Sequence, residues 1–537
     1  MSNANSTSLL RNLAFAAVAL AASAATGDEH HRGPVVETSD GRVRGVSSGG
    51  VDRFLGIPYA APPVEDLRWL PPQPHGRWRG VRDATSFANH CPQVASPFGL
   101  PSVTEDCLYL NVFRPERRGE DDGEEDDGGH EGRERRRPVM VWIHGGALLV
   151  GESDDYDPVR LVQRGVVVVT INYRLGVLGF LAHPALTEES PEHASGNYGL
   201  MDQQAALRWV RRNIASFGGD PRRVTIFGES AGGLSVHSHL ASPLSAGLFH
   251  RAIVESGAYS LAQPSLSQAE AQGQVVAERA GCTDQTAACL RATPVETLLP
   301  ALMASTVVPD VDGLVLTQTI GDSFASGQFN HVPVMEGSNH DEWRLFVALD
   351  FDLVTGPLTP EQYIDAIAAT LGVPTTTAEF LASFYPLASY PSPDLALSAL
   401  GTDAIFACNS RKAVRLLSQE VTTYAYEFAD EDAPQLFLPP VSFPYASAHA
   451  SEIQYLFGLR STVMAPELTE EQQQLSEAMV SYWTRFARTG SPNEFDEPVW
   501  DAYDSASDAM QSLVPPVPEV QPGFAADHKC SLWAPTP

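Results

Sequence analysis

Two uninterrupted apolar runs constrain this chain more than any other feature. Val139–His144 reads VMVWIH and Val166–Asn172 reads VVVVTIN, and runs of this kind suit strands buried on both faces. A strand covered on both faces needs helices above and below it, and helical spacing follows. Leu200–Phe217 (LMDQQAALRWVRRNIASF) carries apolar residues at helical intervals, and Gly218-Gly219-Asp220-Pro221 reads as a helix stop and turn. Val224–Gly228 (VTIFG) is another short buried strand, with a second helix from about Ser230. Further β-like runs lie upstream, at Val35–Thr38, Arg42–Val46 and Leu108–Phe113. Strands alternating with helices specify an α/β fold with a mostly parallel sheet. With 537 residues, 43% of them apolar, the chain has material for a large core. No internal repeat and no linker between globular parts divides it.

Charge narrows the partners. The chain has 35 basic and 66 acidic residues, a net charge of −31, which repels phosphate backbones and argues against nucleic-acid binding. Arg11 and the apolar run Leu13–Ala25, with its Ala22-Ser23-Ala24 triplet, read as a signal peptide over residues 1–26. The run is shorter than the ~20 residues that span a bilayer, and no later segment is apolar enough to do so. Six cysteines, an even number, fit disulfides in an oxidising compartment, secreted or periplasmic. One segment, 115–137, is low-complexity and strongly acidic, then basic; lying between two expected strands, it reads as a solvated surface loop.

Serine hydrolysis needs a hydroxyl on a sharp turn with backbone N–H groups beside it, which G-x-S-x-G supplies when it follows a strand and opens a helix. The pattern occurs twice. Gly45-Val46-Ser47-Ser48-Gly49 has no helix after it and reads as a β-turn, whereas Gly228-Glu229-Ser230-Ala231-Gly232 follows VTIF and leads into a helix. Context selects Ser230.

From Phe217 to Gly233 the chain reads FGGDPRRVTIFGESAGG, which resembles the signature of type-B carboxylesterases, the cholinesterase-like α/β-hydrolases. FLGIPYAAPP (Phe54–Pro63), EDCLYLNV (Glu105–Val112), GNYGLMDQQAALRWV (Gly196–Val210) and DHKCSLW (Asp527–Trp533) fit the same family. The resemblance implies a single α/β-hydrolase domain over 27–537, with an N-terminal antiparallel hairpin region and a large, mostly parallel central sheet flanked by helices. It implies a serine esterase acting on small-molecule esters, with no cofactor and no metal; whether it is a monomer or a homodimer is left open.

Site residues follow from the family's motifs. Glu342 matches the acid of a G-x-N-x-D-E-G pattern, although Trp343 stands where the last glycine is usual, and His449 heads the H-x-x-E pattern that continues to Phe457-Gly458. The order Ser230, Glu342, His449 is nucleophile, acid, base. Gly146 and Ala147, in the loop after a strand, and Ala231 supply the expected oxyanion N–H donors. Glu229 is expected to line the gorge, and Ser256 in VESG to stand behind the acid. The resemblance pairs Cys91 with Cys107, Cys282 with Cys289 and Cys408 with Cys530. His237 and His239 face different ways on a helix, which opposes a metal site there.

Two narrower readings are separated by one loop. Pro92–Asp106 (PQVASPFGLPSVTED) has Phe98 but no tryptophan, which disfavours choline esters, and it is too short for a lipase flap. A carboxylesterase of short- to medium-chain or broad specificity is the expectation, ahead of a long-chain lipase or a non-catalytic adhesion relative. A histidine base must be neutral, so activity is expected to fall on acidification through about 6–7.

Overall fold

The buried runs become the centre of a wide sheet. In the computed structural model the described residues are 33–116, 136–302, 307–460, 462, 466–494 and 498–533. The expected signal peptide and most of the acidic 115–137 segment lie outside them. Pro34–Pro537 is one compact unit.

Eleven strands among the described residues form the main sheet. They are β1 (Val46–Ser48), β2 (Val51–Pro58), β3 (Tyr109–Pro115), β4 (Arg137–Ile143), β5 (Val167–Ile171), β6 (Gly219–Glu229), β7 (Arg251–Glu255), β8 (Val334–Asn339), β9 (Thr423–Phe428), β10 (Met510–Leu513) and β11 (Glu519–Gln521). Their spatial order is β11-β10-β9-β8-β7-β6-β4-β5-β3-β2-β1. Every pairing from β10 across to β5 is parallel, and those at the two margins are antiparallel. The expected N-terminal hairpin, Val35–Glu37 antiparallel to Arg42–Arg44, belongs to a small three-stranded sheet in which Val81–Asp83 pairs parallel with Arg42–Arg44.

Alternation along each strand sorts the core into two halves. Val139, Val141, Ile143, Val167, Val169 and Ile171 pack into one buried cluster, and Met140, Trp142, Val166 and Val168 into another. One layer therefore sits on each face, which is why β4 and β5 are apolar throughout. The long helix α1 (Tyr198–Asn213) ends in a 3₁₀ turn, Ile214–Phe217, and Gly218 closes it at φ 85°. The strand after it begins at Gly219, earlier than its apolar residues imply, because Gly219 already pairs with Arg137.

The serine in the other G-x-S-x-G match is placed differently from expectation. Ser47 lies on β1, paired with Asp52, and its Oγ donates to Asp52 Oδ1 at 2.6 Å. The turn comes at Gly49 and Gly50, φ 62° and 77°. Positive φ at both central residues is what a tight two-residue hairpin turn requires, so the turn settles on the glycine pair.

Chain order reverses at β4: β5 lies on one side of it and β6 on the other. In sheets of this kind a crevice opens outside the strand C-termini at that reversal. Register aligns those ends, with Gly228 opposite Ile143, Glu229 opposite Glu255, and Glu255 opposite Gly337.

Candidate active site

Ser230 stands in this crevice, between β6 and helix α2 (Ala231–Ala241), with φ 56° and ψ −121°. A non-glycine residue in this region is strained, and its neighbours hold it there. Its N–H donates to Glu255 O at 2.8 Å, and Leu234 N–H closes the first helical turn on Ser230 O. The flanking glycines are needed for space: a Cβ on Gly232 would lie 1.9 Å from Ile143 O, and one on Gly228 would lie 2.6 Å from the same oxygen. Helix and strand thus meet backbone to backbone, leaving Ser230 half-buried at the tip.

The loop after β4 passes the serine. A Cβ on Gly145 would lie 3.2 Å from Ser230 Cβ. Gly146 and Ala147 follow at φ 96° and 56°, and neither amide donates to a backbone acceptor among the described residues. Ala231 opens α2, where a first-turn N–H has no intrahelical partner. The loop is pinned from below: Tyr173 Oη donates to His144 O at 2.7 Å and its ring stacks on His144 at 4.5 Å.

His449 and Glu342 meet across the end of β8. Glu342 Oε2 lies 2.5 Å from His449 Nδ1, and Oε1 accepts the Asn339 N–H at 2.8 Å. On the other side His449 Nε2 lies 3.1 Å from Glu229 Oε1. No hydrogen bond joins that nitrogen to Ser230 or to any other described residue. All three of these ionisable groups are buried. Burial alone lowers an imidazole; here the charges of Glu229 and Glu342, with the Glu342 hydrogen bond, outweigh it and raise His449 to about 9. Burial, with repulsion from Glu452, Glu342 and Glu255, lifts Glu229 well above the carboxylate range despite the pull of His449. The ordinary imidazole value expected from sequence is thus displaced upward.

Three further features surround the site, of which the motifs mark only Trp343 and Glu452. Glu255 and Glu452 extend the buried carboxylates behind the site, raised by burial to about 8 and about 7. Glu255 accepts from Trp483 Nε1 at 2.8 Å and Glu452 from Asn339 Nδ2 at 2.5 Å. A carboxylate ending the apolar run of β7 was a readable signal for Glu255. Phe346 and Phe406 wall the imidazole at 5.1 and 4.9 Å. Their positions depend on the fold alone. Trp343 stacks on Phe346 at 4.4 Å and lies over Gly401, where a Cβ would fall 2.2 Å from its ring. The departure from the motif at 343 is therefore matched by a glycine 58 residues later.

Ser256 follows β7 at φ 51°, its Oγ buried without a partner. His237 meets Glu336 at 2.7 Å and His239 meets Gln203 at 2.8 Å, each inside the core and pointing apart. The disulfides are Cys91–Cys107, Cys282–Cys289 and Cys408–Cys530. The first closes the loop beside the crevice. Gln93 Oε1 accepts the Gly151 N–H at 2.7 Å, and the Leu100 N–H reaches Glu152 Oε2 at 3.0 Å. No helix among the described residues is long and apolar enough to cross a membrane.

A strained serine between strand and helix, at the reversal point of a parallel sheet, with a histidine–carboxylate pair arriving from later strands, defines an α/β-hydrolase. The chain belongs to the Carboxylesterase family, which matches residues 32–533. It is 36% identical over 514 residues to the pyrethroid hydrolase Ces2e of Rattus norvegicus, covering 90% of this chain and 87% of that one. Against the cocaine esterase of Homo sapiens it is 34% identical over 533 residues, 93% and 91% of the two chains. Against the fumonisin B1 esterase of Sphingopyxis macrogoltabida it is 35% identical over 496 residues, 89% and 86%. The protein is an ester-hydrolysing enzyme.

Proposed function

We propose that the protein is a secreted serine carboxylesterase working through an acyl-enzyme, with Ser230 as nucleophile, His449 as base and Glu342 as its orienting acid. The observation that carries this reading is the strained Ser230 elbow facing a His449–Glu342 pair at 2.5 Å. His449 Nε2 takes the Ser230 proton as Oγ attacks the ester carbonyl, then returns it to the leaving alcohol. Glu342 fixes the tautomer by accepting from Nδ1. Water repeats the sequence to release the acid. Serine–histidine contacts are often long without substrate and tighten when it binds. The amides of Gly146, Ala147 and Ala231 receive the oxyanion. Glu229 and Ser256 shape the surroundings of these groups without reacting.

The loop between Cys91 and Cys107 supports open access and short- to medium-chain or broad specificity. It is tied to Gly151 at its start through Gln93 and to Glu152 at its middle through Leu100, and Leu100 and Val103 point out at 55% and 48% exposure. Relatives whose names cover pyrethroid, cocaine and fumonisin B1 support breadth in the alcohol. The three disulfides favour export.

A fluorophosphonate label mapped by mass spectrometry tests the assignment. Modification is expected at Ser230, and a label on any other residue overturns it. A series of p-nitrophenyl esters then ranks acyl length. A kcat/KM maximum between two and about eight carbons is expected, since a long fitted channel would instead gain about 0.8 kcal/mol per buried CH₂. A rate jump at the micellar threshold would make it a lipase.

A further inference from the structure

A second histidine cluster lies away from the crevice and takes no part in the ester chemistry. One nitrogen or oxygen each from His340, Glu427 and His528 lies within 4.8 Å of the other two. The three come from separate elements of the chain: the residue after β8, the C-terminal end of β9, and the C-terminal segment just before Cys530. We propose that His340, Glu427 and His528 form a binding site for a single divalent transition-metal ion, with Zn²⁺ the best match.

The argument rests on how the outer atoms are held. A metal-binding imidazole usually gives its second nitrogen to a carboxylate, which fixes ring and tautomer. The His528 imidazole has that arrangement here. His528 Nδ1 lies 2.7 Å from Asp403 Oδ1, leaving Nε2 directed at Glu427 Oε1, 2.6 Å away. His340 Nδ1 lies 3.3 Å from Asp341 Oδ2, an ion-pair distance without a hydrogen bond, and is itself buried without a hydrogen-bond partner. Each supporting carboxylate is itself fixed: Asp403 accepts from Tyr385 Oη at 2.7 Å, and Asp341 is held by Arg344 at 2.7 Å and Ser447 Oγ at 3.0 Å.

Independent of that geometry, Glu427 Oε2 is fully buried and has no hydrogen-bond partner. An unmatched buried carboxylate oxygen is costly, and a cation bound beside it removes the cost. The His340 side chain is 40% exposed, which gives an ion a way in from solvent. Two imidazoles and one carboxylate suit Zn²⁺ better than Mg²⁺ or Ca²⁺, which prefer all-oxygen sets. Tetrahedral zinc holds its ligand atoms about 3.3 Å apart, so the widest separation, at most 4.8 Å, closes by up to about 1.5 Å, and His528 Nε2 and Glu427 Oε1, now 2.6 Å apart, open to admit the ion. Water fills the remaining position.

Binding replaces the proton between His528 Nε2 and Glu427, and that proton leaves to solvent. Uptake therefore weakens as pH falls. The ion would join the loop that leads into Glu342 to the segment anchored by Cys530.

The test uses the full mature chain, stripped with a chelator and desalted, then incubated with ZnCl₂ or CoCl₂ and desalted again. About one equivalent of metal is expected by elemental analysis. The Co²⁺ form should show visible absorption of a four- or five-coordinate nitrogen–oxygen site. His340→Ala, at a half-exposed position, should weaken binding about 100-fold, and Asp403→Asn 10- to 100-fold. The exposed His331→Ala should leave it unchanged. Wild-type protein that keeps no metal after desalting overturns the proposal. So does an equivalent of metal retained equally by His340→Ala, which would place it elsewhere. The Co²⁺ spectrum reads the ligand set even if a variant folds poorly, and a spectrum of six-coordinate aquated Co²⁺ also overturns it.

Discussion

Two buried histidines in this enzyme are each gripped by two carboxylates, and only one is proposed to do chemistry. His449 lies 2.5 Å from Glu342 and 3.1 Å from Glu229. His528 lies 2.7 Å from Asp403 and 2.6 Å from Glu427. Burial opposes the charge on both rings, and in both the paired carboxylates win, raising His449 to about 9 and His528 to about 10. The two clusters differ in company. His449 stands beside a strained serine and backbone amides at the point where the sheet reverses. His528 stands beside the Cys408–Cys530 bridge, with Cys408 Sγ 3.2 Å from His528 O. In both places a histidine between acids keeps charge inside the protein; the proposal gives only His449 a nucleophile to activate.

The contrast can be broken most directly at the nucleophile. Ser230→Ala should fold with an unchanged melting temperature and lose at least ~10,000-fold in kcat. Residual turnover near the wild-type rate would move the reaction away from this crevice.

The next pair of variants compares the two grips. Glu342→Gln should cost about 100- to 10,000-fold in kcat/KM, because the wrong tautomer of His449 is then favoured. Asp403→Asn removes a carboxylate from the buried His528 and should register in stability, at about 3 kcal/mol. Equal losses of kcat in both variants, with no change in either melting temperature, would erase the distinction.

A smaller effect sharpens the description of His449. The base is neutral only above its pKa, so kcat/KM should fall on acidification with a midpoint above the ordinary 6.5. Glu229→Gln removes one of the charges that raise it, and the midpoint should move to lower pH by about one unit. A midpoint that stays put would remove Glu229 from the account. The smallest effect belongs to Ser47→Ala, which breaks only a hydrogen bond to Asp52 on an outer hairpin; kcat/KM should be unchanged within about twofold, as an ester assay will read.

Much of this was legible in the chain itself. The apolar runs at Val139 and Val166 fixed a sheet buried on both faces, and the strand–helix setting of Ser230 separated it from Ser47. The rest depended on which strands are neighbours. Glu229 faces His449 only because β6 and β9 end at the same edge, and Trp343 fits only because Gly401 lies beneath it. The raised value of His449 belongs to charges assembled from positions 229, 342 and 452, and no local pattern carries it. The hairpin turn fell on Gly49-Gly50 because backbone conformation, not the serine pattern, chose it.

The two anchors of the acidic segment lie at the other end of this architecture. The segment leaves β3 at Pro115 and rejoins β4 at Arg137, whereas the crevice opens past Ile143, about 20 Å further along the same strand. The anchors themselves lie at the strand ends away from Ser230, and lengthening a connection between fixed ends costs little closure entropy. The site and the segment can therefore change independently, and Pro115 and Arg137 mark where an affinity handle, a second domain or a surface tether can be spliced in with the ester-facing side left free.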